Sequence, residues 1–110
     1  MKLTRTRVQT SLPQLFKIYA QQIKNLDDTD DPSNDVLLVL LTRDGFGRFA
    51  LAQEEQIRLA GLDDELVKRW EILAEELPNP NLKRDRRSWW WHLHEGPQAR
   101  EEARALTQAG

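Results

Sequence analysis

The sequence predicts an all-α fold, a small bundle of four to five short helices, and three observations carry that expectation. Leucine, alanine, glutamate, glutamine, arginine and aspartate dominate, whereas valine and isoleucine are few and there is one tyrosine. That bias favours helices over sheets. Apolar residues also recur at spacings of three and four in two stretches, Leu12, Leu15, Phe16, Tyr19, Ile23, Leu26 and Leu66, Val67, Trp70, Leu73, Leu77, the period of a one-sided helix. Finally, proline and glycine fall where helices start and stop: Pro13, Gly45, Gly61 and Pro78.

Taken in order, residues 1–10 are polar and basic without a convincing period, and read as a flexible arm. Ser11-Leu12-Pro13 opens the first helix, Ser11 as N-cap and Pro13 in the first turn, where its missing N–H has no partner to lose. Asp27 to Asn34 is a loop, because like charges repel along it and Pro32 forbids continuation of the helix. Val36-Leu37-Leu38-Val39-Leu40-Leu41 is apolar on every side and is expected to be wholly buried. Its leucine richness favours a helix ending at Gly45. The alternative is an α+β fold with a hairpin at 36–51, Asp44-Gly45 being the turn.

A helix over 50–60 is expected to stop at Gly61, and Asp63 to cap a new one carrying the second apolar stripe. On it Asp64 with Lys68, and Glu65 with Arg69, stand four apart. Pro78-Asn79-Pro80-Asn81 ends it, a short helix follows through Leu82 to His94, and Gly96-Pro97 breaks that one. The last segment has only alanines and Leu106 for an apolar face, so 96–110 reads as a marginal helix or tail that frays or docks outside. Residues 1–95 then form a single compact domain around Phe16, Val36–Leu41, Phe49, Ile57, Leu66, Trp70 and Leu73.

Composition excludes several classes of function. The chain has 110 residues, no cysteine and a formal net charge of −2. Disulfides, thiol catalysis and thiolate metal sites are therefore absent, and no overall field draws in nucleic acid or an anionic membrane. Residues 1–26 lack the pattern of a signal peptide, and the longest apolar run is far shorter than the roughly 20 residues that cross a bilayer. A cytoplasmic, soluble protein with no membrane contact is expected.

The leading functional feature is Trp89-Trp90-Trp91, behind the basic run Lys83-Arg84-Asp85-Arg86-Arg87 and ahead of His92-Leu93-His94. Three successive residues cover roughly 200° of a helix, and in a strand they face alternate sides. At least one indole is therefore expected at the surface, although Trp89, Trp90 and Leu93 at helical spacing also suit a core. Tryptophan and arginine are the residues most enriched in binding hot spots. The expected function is a non-enzymatic adaptor or regulatory subunit. Its contact would be built from Arg84, Arg86, Arg87, Trp90, Trp91 and His94, and its partner another protein or a second copy as a homodimer. The alternative is a nucleic-acid-binding subunit, with cations on the phosphates and bases stacked on the rings, helped by Lys2, Arg5 and Arg7.

Other motifs carry less. The aspartate loop fails the calcium-loop pattern, since the sixth and twelfth positions from Asp28 are Ser33 and Val39. Arg43-Asp44-Gly45-Phe46-Gly47-Arg48 lacks the Gly-Lys-Ser/Thr of a phosphate loop, so it reads as a turn with Phe46 plugged into the core. His92 and His94 lack companion ligands for zinc. No cofactor, metal or catalytic residue is expected.

Overall fold

A computed structural model describes residues 11–77 and 85–109, and these are all-α. The basic arm 1–10, the Pro78–Asn81 terminator, Lys83 and Arg84 lie outside the described residues.

Helix α1 (Leu12–Asn25) starts with a capping box: the Gln14 N–H donates to Ser11 Oγ, and the Ser11 N–H donates back to Gln14 Oε1 at 3.2 Å. Its buried stripe is Leu15, Phe16, Tyr19 and Ile23. Helix α2 (Pro32–Gly45) has proline in its first turn and runs through the all-apolar stretch. The hairpin at 36–51 is thereby replaced by a helix followed by a single 3₁₀ turn, Phe46–Arg48. Leu15 packs against Gly45, so the start of α1 meets the end of α2 and the two helices form an antiparallel hairpin. Phe46 does plug the core, edge-on to Phe16 at 5.0 Å and to Tyr19 at 5.5 Å.

The expectation that all of Val36–Leu41 is buried is corrected. Val36, Val39 and Leu40 are sealed, but Leu38 is 41% and Leu41 47% exposed, because the neighbours of α2 cover only part of its circumference. Ile57, expected in the core, is 66% exposed.

Helix α3 (Gln53–Val67) begins where Glu55 Oε1 accepts from the Ala52 N–H at 2.8 Å. It runs straight through Gly61, where a stop was expected, and Asp63 is an interior helical residue rather than a cap. Glycine in a helix costs about 1 kcal/mol relative to alanine but raises no steric barrier, and the buried contacts of Asp63 described below hold the helix through it. The break comes instead at Lys68–Arg69, before α4 (Trp70–Glu76). There Arg69 donates to both carboxylate oxygens of Asp27, at 2.9 and 2.8 Å, and to the Glu65 carbonyl. Glu65 takes both Lys68 and Arg69, while Asp64 pairs with Arg100 rather than Lys68.

A 3₁₀ segment, Trp89–Glu95, follows and ends at Gly96, whose φ of 131° is one that side-chain-bearing residues rarely adopt. Helix α5 (Gln98–Ala109) then folds back on the 3₁₀ segment, with Ala99 and Ala103 buried. The α1–α2 hairpin packs on α3 through α1, and on α4 and the 3₁₀ segment through α2.

Candidate functional site

The tryptophan triplet lies in neither an α-helix nor a strand. A 3₁₀ helix has three residues per turn, so three consecutive side chains point to three edges. The segment can hide them because α2, α4 and α5 all pack against it. Trp89 is 7% and Trp91 3% exposed, whereas Trp90 stays half-buried. Trp89 and Trp90 meet edge to face, with centroids 5.6 Å apart.

The end of α2 organises this cluster. Asp44 Oδ1 accepts from both indole N–H groups, Trp90 at 2.7 Å and Trp91 at 2.8 Å. The Arg43 guanidinium lies 4.1 Å from the Trp90 ring centroid and 5.7 Å from that of Trp89, within cation–π range. Its Nε and one terminal nitrogen donate to the two oxygens of Asp63, at 2.9 and 3.0 Å. Asp63 Oδ1 also accepts from the Tyr19 hydroxyl at 2.6 Å. Burial, reinforced by the Asp63 charge, pushes the Tyr19 phenol well above its ordinary value. Arg100 also lies over the Trp89 ring, at 5.4 Å from its centroid, and donates to Asp64 and to the Ala60 carbonyl. A pocket of about 220 Å³ opens between Arg43, Trp89, Arg100 and Leu59. Each guanidinium there already has a carboxylate partner.

The six residues expected to form one contact surface are distributed otherwise. Arg84 lies outside the described residues. Arg86 and His94 come together on Glu95: Arg86 donates to it at 2.6 Å and His94 Nε2 stands 4.0 Å away. The Arg86 guanidinium holds the Glu95 carboxyl below its ordinary range. Arg87 is exposed and pairs with Asp85 at 3.5 Å. Trp90 and Trp91 converge instead on Asp44, 46 and 47 residues back in the chain. A shallow concavity of about 590 Å³ is lined by Arg86, Glu102, Ala105 and Leu106. Among the described residues no three histidine or carboxylate side chains are grouped to hold a metal, and no helix is long and apolar enough to cross a membrane.

Sequence reasoning missed one group. Leu38 and Leu41, three apart on α2, are exposed, and so is Ile18 of α1, at 40%. The signal was present in α1: Gln14, Ile18, Gln21, Gln22 and Asn25 share one side of that helix, and none carries charge. Comparison with protein-family models, with curated proteins and with solved structures finds no match to this chain.

Proposed function

We propose that this chain is a small helical adaptor or regulatory subunit that acts by binding another protein and performs no chemistry of its own. The observation that supports this most is the exposure of the aliphatic side chains Leu38 and Leu41 on α2, and of Ile18 on α1. Single exposed leucines are ordinary, but Leu38 and Leu41 stand three apart on α2 and so are neighbours on its surface, and grouped exposed apolar side chains mark interaction sites. Two carboxylates, by contrast, are engaged in holding the fold: Asp63 by Arg43 and Tyr19, and the half-buried Asp44 by two indoles. A catalytic carboxylate needs a lone pair turned to a substrate, and these face their own chain. The rim of the tryptophan segment, with Arg86, Arg87 and the open edge of Trp90, is a secondary contact in this reading. Two of the three rings lie in the core, which leaves little platform for stacking bases.

The test is affinity capture with the full chain, comparing wild type with Leu38→Glu/Leu41→Glu. Both positions are open to water, so the variant should keep its helical circular dichroism, at a cost of about 0.5 kcal/mol per site. A bound protein lost from the variant supports the reading. Identical captured sets for the two, both folded, would overturn this face as the contact.

A further inference from the structure

We infer that the cleft between α3 and α5 binds a small phosphate monoester. This goes beyond the protein-binding reading and rests on different residues. Gln56, Leu59, Ala60 and Asp63 recur at helical spacing along one side of α3 and form one wall. Arg100 and Arg104, four apart on α5, form the other, and Arg100 reaches across to the Ala60 carbonyl. Arg43 and Trp89 also line the cleft, whose volume is about 220 Å³. Sites for drug-sized ligands run from roughly 300 to 1,000 Å³, so the occupant is smaller than those.

Charge selects the occupant. Three guanidiniums and one carboxylate line the cleft, an excess of two positive charges. Asp63 is already satisfied by Arg43 and the Tyr19 hydroxyl, so the excess belongs to Arg100 and Arg104. Their own partners, Asp64 and Glu101, are not part of the lining. The Arg100 side chain is only 11% exposed, whereas that of Asp64 is 62% exposed. A buried cation is thus matched to a carboxylate standing in water. Pairs with such exposed carboxylates are weak, and an anion held in the less solvated cleft competes with them.

Donors remain for that anion. Arg100 Nε, and both Nε and Nη2 of Arg104, donate to no described residue. Guanidiniums bind phosphate oxygens in a fork, and two of them balance a dianion. Leu51, Leu59 and the Trp89 ring add apolar surface to the lining. A free phosphate makes no use of that surface, but the organic group of an ester does.

Isothermal titration calorimetry of the full chain with phenyl phosphate, at about pH 8 where the ester is a dianion, tests this. Saturable binding with a Kd of about 0.1–1 mM is expected for so small a ligand. Inorganic phosphate should bind about tenfold more weakly, having no apolar group to bury. Benzyl alcohol, which has the ring without the charge, should give no binding, with ionic strength held constant by chloride throughout. Arg104 is exposed and bonds only to Glu101 on its own helix among the described residues, so Arg104→Gln should stay folded and bind about tenfold more weakly. Glu101→Gln releases Arg104 and should tighten binding about twofold, which a merely structural role for either residue would not do. Arg87→Gln, an exposed arginine outside the cleft, should bind as wild type does. The inference is overturned by no saturable heat up to about 10 mM phenyl phosphate, far above the expected Kd. It is equally overturned by an unchanged affinity in Arg104→Gln, by a weaker one in Glu101→Gln, or by benzyl alcohol binding as well as the ester. Equal losses in Arg104→Gln and Arg87→Gln would mean general attraction to surface arginines and would also end it.

Discussion

Asp63 is the residue on which most of the interior depends. It is almost fully buried and accepts three hydrogen bonds, from Tyr19 OH and from two nitrogens of Arg43. Taking one charge out of such a pair leaves the other buried without a partner, which costs about 3–5 kcal/mol. Small domains have only about 5–15 kcal/mol in total. Asp63→Leu should therefore lower the urea midpoint severely, and Arg43→Leu nearly as much. The double variant Asp63→Leu/Arg43→Leu should cost clearly less than the sum, because neither charge is then stranded. Urea unfolding of the four proteins decides the matter. Strict additivity would mean that Arg43 is held by the Trp89 and Trp90 rings and not by Asp63.

At the scale of the elements, two glycines make opposite predictions. Gly61 sits inside α3 with nothing within 4 Å of where a Cβ would stand, so Gly61→Ala should stabilise by about 0.5–1 kcal/mol. Gly96 ends the 3₁₀ segment at φ 131°, and a Cβ there would collide with the Gln98 side chain, so Gly96→Ala should destabilise by about 1–3 kcal/mol. Thermal melts should shift upward for the first and downward for the second. Two downward shifts would mean that α3 bends at Gly61. The same two residues show what a sequence reveals. Gly96-Pro97 was legible as a break because a positive φ followed by proline is a local matter. Gly61 was misread as a stop because what carries the helix through it is distant: Asp63 meets Arg43 and Tyr19, 20 and 44 residues away. The capping box of Ser11 and the stripe of α1 are likewise local and were read correctly. The open side of Val36–Leu41 was not legible, since a run apolar all round does not say which face its neighbours leave uncovered. The 3₁₀ form of the tryptophan segment escaped for a related reason. Its three edges are satisfied by α2, α4 and α5, and no spacing within the segment reports them.

For the molecule as a whole, α2 is the tie between its two sides. Through Arg43 it grips Asp63 of α3, which in turn accepts from Tyr19 of α1, and through Asp44 it grips the tryptophan segment that carries α5. A perturbation at Tyr19 should therefore be felt everywhere at once, and alkali is such a perturbation. Burial first, then the Asp63 charge, raise the Tyr19 phenol well above its ordinary value; the Arg43 charge opposes them, the Asp63 hydrogen bond adds less, and Arg100 opposes least. In the unfolded chain the phenol ionises near its usual value of about 10. The folded protein keeps a proton that the unfolded chain releases, so the contribution of Tyr19 is complete below about pH 10 and is lost as pH rises above it. Because the chain has one tyrosine, tyrosinate absorbance reports this group alone. It should appear in the same transition in which helical circular dichroism and tryptophan emission collapse. Tyr19→Phe should be about 1–2 kcal/mol less stable at neutral pH, having lost a hydrogen bond to a charged acceptor. Its stability should then fall less steeply than that of wild type above pH 10, so that the two curves converge. Lysines titrate over the same range in both proteins, and the difference between the curves isolates the phenol. Tyrosinate forming at its ordinary pH while the helices persist would mean that the hydroxyl reaches water, and the link from α1 through Asp63 to α2 would not be the tie described.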